Sequence, residues 1–135
     1  MVPPSAEFTR QDNTTIEGFF EATPKYVWAG DWENWANQYA EDGILLPPNN
    51  PTIRGRDAIL AWGKLFPEIE VFEFPDVRVW GEGNLAYATS AYRLKFKGLE
   101  EDTGKQLGVF RRDSNGVWKV MALSFSSDLA PNPVT

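Results

Sequence analysis

The sequence predicts an α+β domain in which three helices come first and pack on a strongly curved, mainly antiparallel sheet. Apolar residues recur at helical spacing up to Pro67 and at alternating positions after it, and the alternating segments are long and separated by short turns. Size agrees with this. A chain of 135 residues, 42% hydrophobic and 14% aromatic, is long enough for one core with a modest cavity and too short for two.

Each element can be justified in order. Residues 1–12 carry two prolines and no period and read as a tail, as do residues 131–135, leaving one domain over 13–130. From Asn13 to Ala29, Ile16, Phe19, Phe20, Tyr26 and Val27 keep helical spacing, with Pro24 expected to kink or split the helix. Gly30 stops it, and Asp31 caps a second helix whose stripe is Trp32, Trp35, Ala36, Tyr39 and Ala40. Ile44-Leu45-Leu46 reads as a short strand running into the turn-rich Pro47 to Pro51. A third helix follows over Asp57 to Phe66, burying Ile59, Trp62, Leu65 and Phe66, with Pro67 as its stop. Then Glu68–Trp80, Leu85–Lys97, Lys105–Arg112 and Val117–Ser126 read as strands, and Gly81–Asn84, Gly98–Gly104 and Asp113–Gly116 as the turns between them.

Composition narrows function by exclusion. Without cysteine there is no disulfide, thiolate nucleophile or cysteine-ligated zinc. Without histidine there is no Ser-His-Asp triad and no imidazole base, so no metal or cofactor is expected and acid–base work falls to carboxylates, tyrosines or lysines. A net charge of −6 opposes nucleic acid and anionic membrane surfaces. No apolar run is long enough to span a bilayer and the first ten residues lack the order of a signal peptide, which makes the cytoplasm the expected setting.

Three runs carry a family resemblance: Ala29-Gly-Asp-Trp-Glu-Asn-Trp-Ala-Asn-Gln-Tyr-Ala-Glu-Asp-Gly-Ile-Leu-Leu-Pro-Pro48 with Ile53-Arg-Gly-Arg-Asp-Ala-Ile59, then Gly108-Val-Phe-Arg-Arg-Asp-Ser-Asn-Gly-Val-Trp-Lys-Val120, and the closing Ser126-Ser-Asp-Leu-Ala-Pro131. Together they resemble the nuclear transport factor 2-like superfamily, nearest to its SnoaL-like and ketosteroid-isomerase-like small proteins, over about Asn13 to Pro131. The resemblance implies a cystatin-like cone whose open end, under the helices, is a pocket. It implies no single activity, because this fold hosts isomerases, dehydratases, cyclases, epoxide hydrolases, binding proteins and assembly domains.

Steroid isomerase chemistry is not supported by the matching residues. The position of the catalytic carboxylate is Pro47, and those of the oxyanion-hole tyrosine and aspartic acid are Thr23 and Gly108. Proline cannot take a proton, and neither Thr23 nor Gly108 supplies the acidic donor that such a hole requires. Dehydratases of the scytalone type rely on histidines, which are absent.

Strand alternation supplies the pocket candidates. With Arg93, Lys95 and Lys97 outward, Ser90, Tyr92, Leu94 and Phe96 point inward. Gln106, Gly108 and Phe110 share one face of the next strand, and Met121, Leu123 and Phe125 match pocket positions of the family on the last. Tyr39 and Trp62 are expected to cover them from the helices. Such a lining suits a small hydrophobic molecule fixed by one or two hydrogen bonds. The plainer reading is that Trp32, Trp35, Trp62 and Trp118 are packing, Asp31 and Asp57 serve helix starts, Glu41 and Asp42 are solvated, Asp128 makes a turn or tail contact, and Arg54, Arg56, Arg111 and Arg112 stay at the surface. The outer face, with Tyr87, Thr89, Ala91, Leu107 and Val109, is weakly polar, and the resemblance implies a homodimer through it. Three functions therefore stay open: a cofactor-free isomerase, cyclase or dehydratase acting on a small hydrophobic carbonyl compound, a non-catalytic binder, or an assembly module.

Overall fold

The computed structural model describes residues 7–130, so the tails expected at 1–6 and 131–135 lie outside the described residues. Three helices, α1 (Arg10–Trp28), α2 (Trp32–Asn37) and α3 (Arg56–Gly63), cover one face of a seven-stranded sheet. The strands are β1 (Tyr39–Leu46), β2 (Ile53–Arg54), β3 (Ile69–Glu73), β4 (Arg78–Glu82), β5 (Leu85–Phe96), β6 (Asp102–Arg112) and β7 (Trp118–Ser127). They lie in the order β2-β1-β7-β6-β5-β3, with β4 also on β5. Every pairing is antiparallel except β1 with β7. Among the described residues no helix is long and apolar enough to cross a membrane.

Helix α1 begins three residues before the expected Asn13, because Thr9 and Asp12 form a reciprocal capping box: Thr9 Oγ1 accepts from the Asp12 amide at 3.1 Å and Asp12 Oδ2 from the Thr9 amide at 2.8 Å. Pro24 does not split the helix, which stays continuous to Trp28. Helix α2 starts under the Asp31 cap as expected but ends at Asn37, so Tyr39 and Ala40 belong to β1. Helix α3 begins one residue before the expected Asp57 and ends three short of Phe66; Gly55 precedes it at φ 91°, Gly63 closes it, and Leu65, expected inside, is 78% exposed. The glycine at 63 is required by packing, since a Cβ there would stand 2.7 Å from the Trp35 ring and 2.8 Å from that of Trp32.

The expected strand over Glu68–Trp80 is two. Pro75 cannot extend the ladder, Asp76 turns at φ 58°, and β3 and β4 then pair with successive halves of β5. Strand β5 alternates as read from the sequence, with Ala86, Ala88, Ser90 and Tyr92 buried. Strand β6 starts earlier than Lys105, and the expected turn over Gly98–Gly104 shrinks accordingly.

Two register breaks bend the sheet where β1, β6 and β7 meet. The β6–β7 pairing shifts between Val109 and Phe110 and leaves Met121 as an extra residue, and the β1–β7 pairing is interrupted between Tyr39 and Ile44. Gly43 lies so close to the Val120 carbonyl that a Cβ would be 2.9 Å from it. The backbone groups released there find other partners. The Arg56 guanidinium donates twice to the Tyr39 carbonyl, at 2.8 and 3.0 Å, and the Gly55 amide donates to the Gly43 carbonyl at 2.7 Å.

Far along the chain, α1 is tied to the sheet by a nearly buried polar cluster. Asp12 Oδ1 accepts from Arg112 at 3.1 Å and from the Trp118 indole at 3.0 Å, and Arg112 also donates to Asn84 and to the Gly83 carbonyl, each at 2.9 Å. Of the four arginines read as surface residues, Arg56 and Arg112 thus brace the backbone, and the four do not converge on one site. Burial raises the Asp12 carboxyl, but the hydrogen bonds from Thr9 and Trp118 and the Arg112 charge outweigh it and hold the group below its ordinary value of 3.8. The stability it contributes is therefore complete above that value and is lost as the pH falls through the lower, folded one. Asp12→Asn is expected to lower stability by about 2–3 kcal/mol at neutral pH and to flatten the acid limb of the stability curve, measured by urea unfolding between neutral pH and the acid transition; an unchanged acid limb would show that Asp12 carries no such linkage.

Candidate functional site

Between the helices and the concave face of the sheet lies a cavity of about 230 Å³. Its wall is built by every layer of the fold: Phe19 and Thr23 from α1, Trp32 and Trp35 from α2, Trp62 from α3. Strands contribute Leu45, Phe72, Tyr92, Gln106 and Leu123. Helical spacing aims one stripe of each helix at the sheet, and strand alternation aims every second residue back at the helices. More than half of the lining residues are aromatic, and their rings meet edge to face, as in Trp32–Trp35 at 5.3 Å and Tyr92–Phe125 at 5.8 Å between centroids.

Of the sequence-derived candidates, Thr23, Tyr39, Pro47 and Trp62 line the cavity, and so do Tyr92, Gln106, Leu123 and Phe125. The other four do not. Ser90 is buried behind Gln106, whose Nε2 donates to Ser90 Oγ at 3.0 Å. Gly108 is not among the lining residues, and a Cβ there would stand in tight contact with the Phe110 ring, 3.1 Å away. Phe110 is turned to the helix side, with its ring 5.3 Å from that of Phe19. Met121 is displaced by the bulge, and Val120 takes the buried position that uninterrupted alternation assigns to residue 121. Tyr39 reaches the cavity from β1 rather than from a helix.

The polar groups around the cavity are few and mostly paired among themselves. Gln38 Nε2 donates to Thr23 Oγ1 at 3.1 Å. Tyr92 donates to Asp102 Oδ2 at 2.9 Å, and Ser127 donates to the other carboxylate oxygen. Burial pushes the Tyr92 phenol up from its ordinary value of 10, with the Asp102 carboxylate adding to the shift, so Tyr92 remains a donor at neutral pH. Tyr39 is different. It is 98% buried, its phenol is pushed up by burial alone, and among the described residues its hydroxyl has no hydrogen-bond partner. Among the described residues no enclosed side-chain polar atom is left unpaired, so the small accessible remainder of Tyr39 includes its hydroxyl, and it opens on the cavity that Tyr39 lines.

Sequence reasoning passed over several lining residues. Trp32 and Trp35 read as packing, yet each also contributes to the cavity wall, while Trp118 stays with Asp12, Arg112 and Phe8. Asp102 was hidden in an apparent turn. The available signal was strand parity, because Asp102 and Gly104 precede Gln106 by whole repeats of two and therefore share its inward face. Gly104 reads as a turn residue but serves as clearance: a Cβ there would come 2.6 Å from the Tyr92 ring and would strike the Ser126 carbonyl. Asp128 is paired with Lys105 at 2.8 Å, and Glu41 and Asp42 are exposed.

A family model described as a SnoaL-like domain matches residues 16–121. A search among curated proteins finds no match. Among solved structures, a nuclear transport factor 2-like protein of Pseudomonas putida KT2440 is 20% identical, with a TM-score of 0.78 over 91% of this chain and 99% of that one. A nuclear transport factor 2-like protein with a cystatin-like fold from Novosphingobium aromaticivorans is 19% identical, with a TM-score of 0.77 over 87% and 82%. A ketosteroid isomerase-like protein of Erwinia carotovora atroseptica is 19% identical, with a TM-score of 0.74 over 90% and 100%. At such identities the likeness is one of fold.

Gly104→Ala is expected to lower stability by about 1–3 kcal/mol by driving the Tyr92 ring off Asp102, read as a shifted urea midpoint with an unchanged slope. A midpoint equal to that of the parent would mean that Tyr92 is not held over Gly104.

Proposed function

The chain belongs to the SnoaL-like domain family, and on that premise we propose that it is a small-molecule pocket protein whose cavity binds a compact, largely apolar molecule through one hydrogen bond to Tyr39. The observation that carries this reading is the Tyr39 hydroxyl, which opens on an aromatic cavity and has no hydrogen-bond partner among the described residues. A hydroxyl open to the cavity is free to exchange water for a ligand's own polar atom, for a net gain of about 0.5–1.5 kcal/mol. At about 230 Å³ the cavity is below the roughly 300–1,000 Å³ of drug-sized sites, which favours a small occupant.

Binding without turnover is the reading the side chains favour. Thr23 and Pro47 face the cavity but bring neither a base nor an acidic donor, and Gly108 does not line it. Isomerisation, cyclisation or dehydration of a carbonyl compound would rest on Asp102, the one carboxylic side chain in the wall among the described residues, and product formation from such compounds would mark it. Tyr39→Phe is expected to weaken binding about three- to tenfold while leaving stability unchanged, because no protein hydrogen bond is lost. Native mass spectrometry of freshly purified protein, followed by thermal shifts with small aromatic ketones and phenols, tests both statements. No retained molecule, no shift with any compound and no product would leave the cavity incidental.

A second copy of the chain is the partner we propose for the outer face. Trp80 and Tyr87 stack there at 5.0 Å while each stays more than 40% exposed, beside the exposed Leu85 and Leu107. The other end of the same face is occupied by ion pairs, Arg93 with Glu73 and Glu101 and Lys95 with Glu70, which favours the Trp80 end for the contact. Tyr87→Arg is expected to turn a dimer into a monomer in sedimentation equilibrium; a monomeric parent protein would overturn the assignment.

A further inference from the structure

The cavity wall is uneven in charge. Among the described residues no lysine or arginine lines the cavity, and Asp102 is the single carboxylic side chain in its wall. Both Asp102 oxygens accept hydrogen bonds from hydroxyls, Tyr92 on one and Ser127 on the other, which leaves the carboxyl group further acceptor capacity. Neither partner carries a charge. Among the described residues Asp102 takes part in no ion pair, although the outer strands beside it pair almost every available lysine and arginine: Arg93 with Glu101, Lys95 with Glu70, Lys105 with Asp128. The carboxylate, half-buried at the edge of an aromatic enclosure, is therefore met by hydroxyl dipoles and solvent rather than by a cationic side chain.

The rings add to the same preference. Aromatic faces are negative, so wherever Trp32, Trp35, Trp62, Phe66, Phe96 or Tyr92 turns a face to the cavity, positive charge is favoured there. An anionic ligand entering this space would meet a carboxylate and ring faces without any cationic side chain to receive it. A neutral ligand would be accommodated but would leave the carboxylate unmatched. We infer that the ligand of this cavity is a small organic ammonium ion, enclosed by the aromatic rings with Asp102 as its counter-charge. This rests on the pocket reading above and narrows it: the ligand is cationic as well as compact, and its remaining polar atom meets Tyr39.

The test compares three probes of equal shape on the intact chain: choline, the neutral alcohol in which carbon replaces its nitrogen, and the carboxylate of that same branched skeleton. Calorimetry and tryptophan fluorescence read the affinities, and the parent protein alone suffices for the first comparison. Choline is expected to bind at least tenfold more tightly than the neutral isostere, and the carboxylate more weakly than either. In Asp102→Asn the choline preference is expected to fall to within about threefold of the neutral isostere, whose own affinity serves as the control for an intact cavity. Equal or tighter binding of the neutral alcohol, or an undiminished choline preference in Asp102→Asn, would overturn the charge assignment and leave the pocket reading standing. Failure of all three probes at millimolar concentration, with no response to the ketones and phenols either, would overturn both.

Discussion

The site depends on a local failure of β pairing. Between Tyr39 and Ile44 the first strand leaves its ladder with the last, and the rule that buried backbone groups must be paired then decides what surrounds the gap. Arg56 reaches back from the start of α3 to the Tyr39 carbonyl, and the Gly55 amide takes the Gly43 carbonyl. These bonds fasten α3 to β1, and with α3 so placed Trp62 forms part of the wall. The same break, with the bulge at Met121, sets which residues of β1 and β7 look inward. Tyr39 and Leu123 line the cavity because the ladder is interrupted, whereas a regular pairing would have offered a different set.

Much of the fold was legible because periodicity is a direct record of which side is buried. The stripe Trp32, Trp35, Ala36 and the alternation through Ser90 and Tyr92 both report a face that water does not reach. Features set by a single backbone contact were not legible. Tyr39 continues the helical stripe of α2 by spacing, and only the Asn37 terminus and the pairing with Val120 make it a strand residue. Met121 occupies the inward parity of β7, and no pattern of apolar residues announces a one-residue bulge. Asp102 stayed hidden for a related reason: glycine at 98 and 104 suggests a turn, while at 104 the missing Cβ makes room for the Tyr92 ring.

The cavity is aromatic without being inert. Most of its polar atoms are satisfied in pairs, Gln106 with Ser90 and Gln38 with Thr23, which holds those side chains in one arrangement and keeps them from competing for a ligand. That leaves Tyr39 and Asp102 as the groups with unused capacity, one neutral and one charged. Two such anchors in a small apolar space select by position and charge more than by total contact area.

The parallel contact between β1 and β7 also has a bearing on the order of assembly. It joins residues about eighty positions apart, and β1 has only the two-residue β2 on its other side. A chain emerging from its N-terminus must hold the aromatic stripes of three helices until the final strand arrives to close the sheet, which places most of the stabilising contacts late and at long separation. Folding of this domain is therefore expected to be slow for its length, with the unfinished β1 edge as the point most exposed to association before synthesis is complete.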